Sequence, residues 1–352
     1  MSNFINNFFP IAANWIGTAL ASFLPGWIAN IIQIVISISF FFVFGTIVVM
    51  SLVYLERRII AFMQDRLGPN RVGPQGLLQP IADVLKLFSK EDIVPTNADP
   101  IVFKLSTIVM VVSALLVYAV IPFGPGMIIS DLNIGILYAI AIASLTAIGM
   151  LMAGWGSNNK YALLGAMRAA AQVISYEIPL VFSVIGVVMI TGSLSTVSIV
   201  HGQAAWSGWR WNIILQPIGF VVYFIAATAE LNRTPFDLME AESEIVAGYH
   251  IEYSGVRFAL FFLAEYLNAF AVAALGATLF FGGWLGPFLP PYVWFLIKTY
   301  MLFFVFYWMR GTLPRVRIDQ LMGLAWKYLL PAALANVVIT GVGIWVYQVL
   351  IA

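Results

Sequence analysis

WIANIIQIVISISFFFVFGTIVVMSLVYL, residues 27–55, runs for 29 positions without a charged side chain. As a helix rising 1.5 Å per residue it reaches about 43 Å, well beyond a hydrocarbon core of ~30 Å, so a strongly tilted membrane span is expected. Outward from it, further apolar stretches occupy about 101–122, 131–154, 170–191, 213–231, 257–281, 291–309 and 328–350. The 352-residue chain is 62% hydrophobic and 9% charged, with mean hydropathy +0.95, which is more apolar surface than one soluble core could bury. The expectation is an all-α fold: a polytopic transmembrane helix bundle of about eight spans, forming a single transmembrane domain over 1–352. Residues 1–25 carry no Lys or Arg, so they lack the basic start of a cleavable signal peptide and are expected to be interfacial or partly inserted.

Basic residues orient the spans. The first, third, fifth and seventh connections, with their flanks, carry 7, 2, 2 and 4 Lys or Arg, whereas the second, fourth and sixth carry 0, 1 and 0. This bias places the odd connections in the cytoplasm, or in the matrix of an organelle, and both termini outside. Lys298 falls inside the seventh span near its outer end, where its stem is expected to snorkel to the interface. There is no 20- to 50-residue repeat and no match between the two halves, which weighs against a secondary transporter.

Composition excludes other classes. A net charge of +1 lacks the electrostatic footprint of nucleic-acid binding. The absence of cysteine excludes disulfides, thiolate zinc sites and iron–sulfur ligation. The two histidines, His201 and His250, are expected on opposite sides of the membrane, so they cannot share a haem, and no metal site is expected. Any electrons must be carried by another chain.

The inner connections hold most of the polar chemistry. In the first, 56–100, the run LGPNRVGPQG has two Gly-Pro pairs that stop helices and fix an exposed turn. After it, Leu77, Leu78, Ile81, Leu85 and Phe88 recur at helical spacing, predicting a short amphipathic helix on the membrane or under a partner. In the third, Ser157, Asn158 and Asn159 are capping candidates for a helix leading to Glu177. Glu177 lies about eight residues, ~12 Å, inside the membrane, and Pro179 beside it should kink the helix.

The fifth connection is the anomaly. AELNRTPFDLMEAESEIVAGYHIEY, residues 229–253, holds Glu230, Asp237, Glu240, Glu242, Glu244 and Glu252 against one arginine, Arg233. Thr234 and Asp237 fit a capping box with proline at the first helical position, predicting a helix from Pro235 to Ala247 that stops at Gly248. On it Asp237, Glu240 and Glu244 would share a face, repelling by a few tenths of a kcal/mol per pair unless screened, paired with a cation or protonated. Glu230 sits at the inner end of the fifth span and Glu265 about eight residues inside the sixth. With Glu177, three spans place carboxylates in the inner half of the bilayer, and acids there mark functional sites by default. The seventh connection, 310–327, sets Arg310, Arg315, Arg317 and Lys327 around Asp319, able to meet the acidic loop or a partner.

The runs ERRIIAFMQDRLGPNRVGPQGLLQPIADVLKLFSKED, GWGSNNKYALLGAMRAAAQVISYE, AELNRTPFDLMEAESEIVAGYHIEYSG and LPRVRIDQLMGLAWK closely resemble the four inner segments of the H-type membrane subunit of respiratory complex I, the proton-pumping NADH:quinone oxidoreductase. The resemblance covers nearly the whole chain from about residue 30. It implies a subunit at the junction of the membrane arm and the hydrophilic arm. Such a subunit forms part of the chamber through which quinone, with ubiquinone the expected species, reaches an iron–sulfur cluster held by a neighbour. By motif, Arg57, Arg58, Asp65, Arg66 and Arg71 would lie on the first inner loop at the quinone entrance, and Phe236 and Asp237 beside the chamber. Glu230, Glu240, Glu242 and Glu244 would begin a proton or charge path continued by Glu177 and Glu265. Some relatives carry another acid in the third span, and 132–154 has none here.

The resemblance further implies no metal, flavin, haem or iron–sulfur cluster on this chain. The partners would be other membrane-arm and hydrophilic-arm subunits, quinone and lipids. The location would be a bacterial inner membrane or, alternatively, the mitochondrial inner membrane, and the isolated chain would be inactive. Two alternatives stay open: a docking scaffold whose acids only match a basic partner, and the membrane subunit of a related proton-translocating hydrogenase.

Overall fold

The computed structural model describes residues 25–204, 210–239 and 242–351, with Trp15, Gly17, Thr18 and Ser22 before them; of Glu242, Ser243 and Ile351 only the backbone is described. The expected interfacial segment 1–25 therefore lies almost wholly outside the described residues, as does Glu240. Every regular element among the described residues is helical, apart from one isolated bridge between Gly124 and Met127.

Among the described residues, seven helical stretches are long and apolar enough to cross a membrane. The first is α1, Gly26–Met63, followed in the first inner connection by α2, Gln79–Ser89. Then come α3, Pro100–Leu116, and the stacked pair α4, Gly135–Ala143, and α5, Leu145–Gly156. Helix α6, Lys160–Thr191, starts at Asn159, whose side chain accepts the Tyr161 N–H, so one of the three capping candidates is the cap. It continues through Pro179 as one assigned helix. After α7, Pro217–Glu230, and the single turn α8, Glu242–Ile245, follow α9, Gly255–Phe280, and α10, Pro291–Thr312. A last stretch, Ile318–Leu350, passes through a π-helical turn at Leu324–Leu329 into α11, Leu330–Ile351.

The fifth expected span differs from the rest. Helix α7 has 14 residues, about 21 Å of rise, too short by itself to cross a ~30 Å core, and a separate helical turn, Asn212–Leu215, precedes it. Backbone without helical bonds is tolerated at membrane depth only where protein surrounds it. The turn that follows meets this condition: Leu231, Asn232, Arg233, Phe236, Leu238 and Met239 are all buried.

The bundle is built around α6, which packs on α5, α7 and α11, and α9, which packs on α3, α10 and α1. Within the most apolar window of α9, 56% of residues are buried inside the chain, against 11% for α1. Helix α1 therefore runs along the outside, with Ile31, Val35, Ile38 and Phe42 turned outward.

The connections sort to two ends. At one, Asn158 donates to the Asn97 carbonyl, Ser254 donates to Glu91, Arg257 pairs with Asp92, and Val316 N–H donates to Pro235. These contacts gather the first, third, fifth and seventh connections. At the other end Ser195 donates to Asp131 and Thr196 to the Val120 carbonyl, while Gln203 donates to Thr278.

Candidate functional site

The fifth connection does not form the expected helix over Pro235–Ala247. A helix would need the Pro235 and Phe236 carbonyls for its own i→i+4 bonds. Here Pro235 O accepts Val316 N–H at 3.0 Å, and Phe236 O accepts the Gln172 amide at 2.8 Å and Leu238 N–H at 2.9 Å. Tertiary partners thus consume the acceptors, and among the described residues of this range only Glu242–Ile245 turns helically. The expected acid face is correspondingly dispersed. Asp237 pairs with Arg315 at 3.1 Å and Glu244 with Arg168 on α6, while Glu252 accepts from Asn159.

The folded turn delivers Arg233 into the bundle. Arg233 is 7% exposed and lies between two carboxylates, 3.0 Å from Glu265 on α9 and 3.4 Å from Glu56 on α1. Glu56, 6% exposed, also meets Arg310 at the end of α10 and accepts the Tyr266 hydroxyl at 2.7 Å. The Arg233 guanidinium lies 4.4 Å from the centre of the Tyr266 ring, a cation–π distance. Two carboxylates and the Tyr266 ring face thus offset the burial of the Arg233 guanidinium. Two acids and two arginines from α1, the fifth connection, α9 and α10 meet here, as buried charge requires.

A cavity of about 280 Å³ opens beside this cluster, lined by Glu56, Arg57, Arg233, His250, Glu265 and Arg310 among others. His250 lies outside the spans, and burial pushes its imidazole down to about 4, so it is neutral near pH 7. Glu265 also borders a second cavity, of about 50 Å³, reaching Asn232 and Glu230. Glu230 in turn borders a third, almost wholly apolar space of about 30 Å³ between Tyr223, Leu180 and Leu279. The first two spaces share Glu265, one bordering Glu56 and the other Glu230; the smaller is lined mainly by apolar side chains such as Met110, Met150 and Val272, and the wall beyond Glu230 is hydrocarbon. Among the described residues no group of three or more metal-ligating side chains converges.

Of the entrance residues, Arg57 lines the large cavity and pairs with Asp83 of α2 at 2.6 Å. Arg58 instead donates to the Gln75 carbonyl, Arg66 donates to Gln64, and Asp65 and Arg71 are exposed on the turn. That turn is as tight as its sequence requires: Gly76 has φ +77°, and a Cβ there would meet the Pro69 carbonyl at 2.2 Å. Phe236 lies against Tyr176, away from the large cavity. Glu230 and Glu265 border the same small cavity, whereas Glu177 lines none of the three spaces.

Sequence reasoning missed Glu56, Arg310 as its partner, and the central place of Arg233. A signal existed for Glu56: it ends 29 uncharged residues, as Glu230 ends the fifth span. The flanking Arg57 and Arg58 disguise it as an ordinary span boundary. Lys298 departs from the snorkelling expectation. It is buried, and its ammonium donates to the Phe281, Gly283 and Leu285 carbonyls at 2.7, 3.0 and 2.6 Å, between the rings of Trp211 and Trp294.

Comparison with known proteins shows the family. The family model described as NADH dehydrogenase matches residues 35–341. The H-type subunit of NADH-quinone oxidoreductase from Dehalococcoides mccartyi strain CBDB1 is 54% identical over 328 residues, 93% of this chain and 88% of the relative. The protein of the same name from Brevibacillus brevis is 54% identical over 295 residues, 82% of this chain and 87% of the relative. That of Anoxybacillus flavithermus is 55% identical over 291, covering 81% and 86%.

Proposed function

We propose, because the chain belongs to the family of H-type subunits of NADH-quinone oxidoreductase, that it walls part of a quinone chamber and passes charge or protons from it into the membrane through carboxylates. As a membrane subunit of that complex it works with partner subunits. We assign it to a bacterial inner membrane, beside a hydrophilic arm that carries the electrons, and take quinone, with ubiquinone as the species, as the substrate.

One observation carries the reading: Glu265 belongs at once to the charged cavity with Glu56, Arg233 and Arg310 and to the smaller space that reaches Glu230. At about 280 Å³ the larger cavity stands at the lower edge of the ~300–1,000 Å³ usual for ligand pockets, so a partner's surface would complete it. Reduction of a quinone adds electrons and two protons. Negative charge arriving in this cavity would bear directly on Glu56 and Glu265, and interacting acids titrate as a unit. Glu177, on α6, would continue the series beyond Glu230.

The docking-scaffold reading is less well supported, because Asp237 and Glu244 are already paired with Arg315 and Arg168 of the same chain. Glu177→Gln and Glu265→Gln are expected to assemble and to lose coupled quinone turnover by at least roughly tenfold, the scale of a general acid–base contribution. Proton pumping and NADH:quinone turnover in reconstituted complex measure this, and wild-type coupling in both variants refutes the relay. Charge reversal at Glu240 and Glu244 that abolishes assembly would favour the scaffold.

A further inference from the structure

We infer that Gln172 is a positioning residue for the inner acid site: its one amide group clamps both ends of the turn that carries Glu230 and Arg233. Gln172 lies on α6, 2% exposed, and its Nε2 donates to Ala229 O at 2.7 Å and to Phe236 O at 2.8 Å. Ala229 immediately precedes Glu230, and Phe236 lies three residues after Arg233, so the clamp spans the functional segment. Both amide protons are used, and Oε1 is buried without a hydrogen-bond partner.

The neighbours at helical spacing grip the same region. Arg168 pairs with Glu244, and the Tyr176 hydroxyl donates to Leu321 O while its ring packs on Phe236. Residues 168, 172 and 176 lie four apart and so form one stripe along α6. Gln172 alone in it contacts the turn on both sides of Arg233. Each clamped carbonyl also keeps a local donor, Asn232 N–H at 3.0 Å for Ala229 and Leu238 N–H at 2.9 Å for Phe236. Losing Gln172 therefore frees the turn without stripping its carbonyls, a change of aim for Glu230 and Arg233 more than a loss of fold. Small displacements of charged groups at a reacting site cost rate steeply.

This inference rests on the reading that Glu230 and Arg233 take part in coupling. The test uses the whole complex reconstituted with Gln172→Leu or Gln172→Glu, with NADH:quinone turnover and proton pumping followed from about pH 6 to about pH 8. NADH oxidation by hexacyanoferrate reports the hydrophilic arm separately. The leucine variant should lose about tenfold in quinone turnover at every pH, with the hexacyanoferrate rate unchanged. A glutamate at 172 can donate only when protonated. Protonated, it has one O–H and can hold one of the two carbonyls, so its turnover relative to wild type should rise part of the way at the acid end and fall at least to the leucine level at the alkaline end. A merely structural role would not produce that profile. The inference is overturned by wild-type turnover in the leucine variant, by a glutamate variant whose pH profile parallels wild type, or by failure of both variants to assemble. Glu230→Gln in the same assay keeps the two claims apart. Full coupling there would sink the relay, while the pH profile of the glutamate variant would still report whether the turn is held by Gln172.

Discussion

Two ends of the molecule bury charge in opposite ways. At the outer end Lys298 spends all three ammonium protons on carbonyls that follow α9, and two tryptophan rings close over it. At the inner end Glu56, Glu265, Arg233 and Arg310 satisfy one another across four segments, beside about 280 Å³ of open space. A buried cation with every donor matched to a fixed backbone acceptor has one arrangement available and serves as a staple. A mutually paired cluster next to a cavity can exchange partners when a charge enters, because no member is tied to the backbone alone. On the proposed function, the difference separates structural charge from working charge in one chain.

Removing Arg233 should break the inner end most severely. Arg233→Met leaves Glu265 facing Glu56 without its cation, and an uncompensated buried charge of this kind costs about 3–5 kcal/mol. A large fall in assembled complex and in the midpoint of thermal inactivation is the expected outcome. Lys298→Met should cost less, on the order of 1–3 kcal/mol for carbonyls deprived of their donor. Turnover per assembled complex should stay at wild type, so a turnover defect without a stability defect would erase the contrast between staple and site. Tyr266→Phe removes one hydrogen bond to Glu56, on the order of 1 kcal/mol, partly offset here by Arg310. It should lower stability modestly and raise the quinone KM more than it lowers kcat.

The smallest effect at neutral pH belongs to His250, which shares the cavity with Glu56, Glu265, Arg57, Arg233 and Arg310. Its folded pKa of about 4 lies below the ordinary 6.5 because burial disfavours the charged ring. Between those values the unfolded chain binds the proton first, so this histidine lowers stability as pH falls through 6.5 toward 4. His250→Gln should flatten that part of the acid-inactivation curve and leave the curve at pH 7 unchanged. An unaltered acid slope would show that the ring is hydrated.

Most of the spans were legible because hydrocarbon imposes a minimum apolar length, and a run such as 27–55 has no soluble alternative. The turn at 67–76 was legible for a similarly local reason, since Gly-Pro pairs forbid helix whatever lies around them. The helix expected from Pro235 failed because its signals were local too: the cap and proline were present, but Gln172 and Val316 took the carbonyls from 64 and 81 positions away in sequence. The same applies to the site. Glu177, Glu230 and Glu265 stood out by membrane depth, whereas Glu56 did not, since its partners Arg233 and Arg310 lie 177 and 254 positions further along the chain.

By itself, then, the amino-acid sequence determined that this protein is a helical membrane bundle of the H-type family, with its acids crowded toward one side. Those properties follow from apolar length, charge bias and motif, each carried by neighbouring residues. Only the tertiary structure decided which acids face which cations, that Lys298 closes backbone carbonyls instead of reaching water, and that Glu265 joins the two cavities. Pairing of buried charges depends on distances between helices, and no local pattern encodes a distance between residues so far apart along the chain.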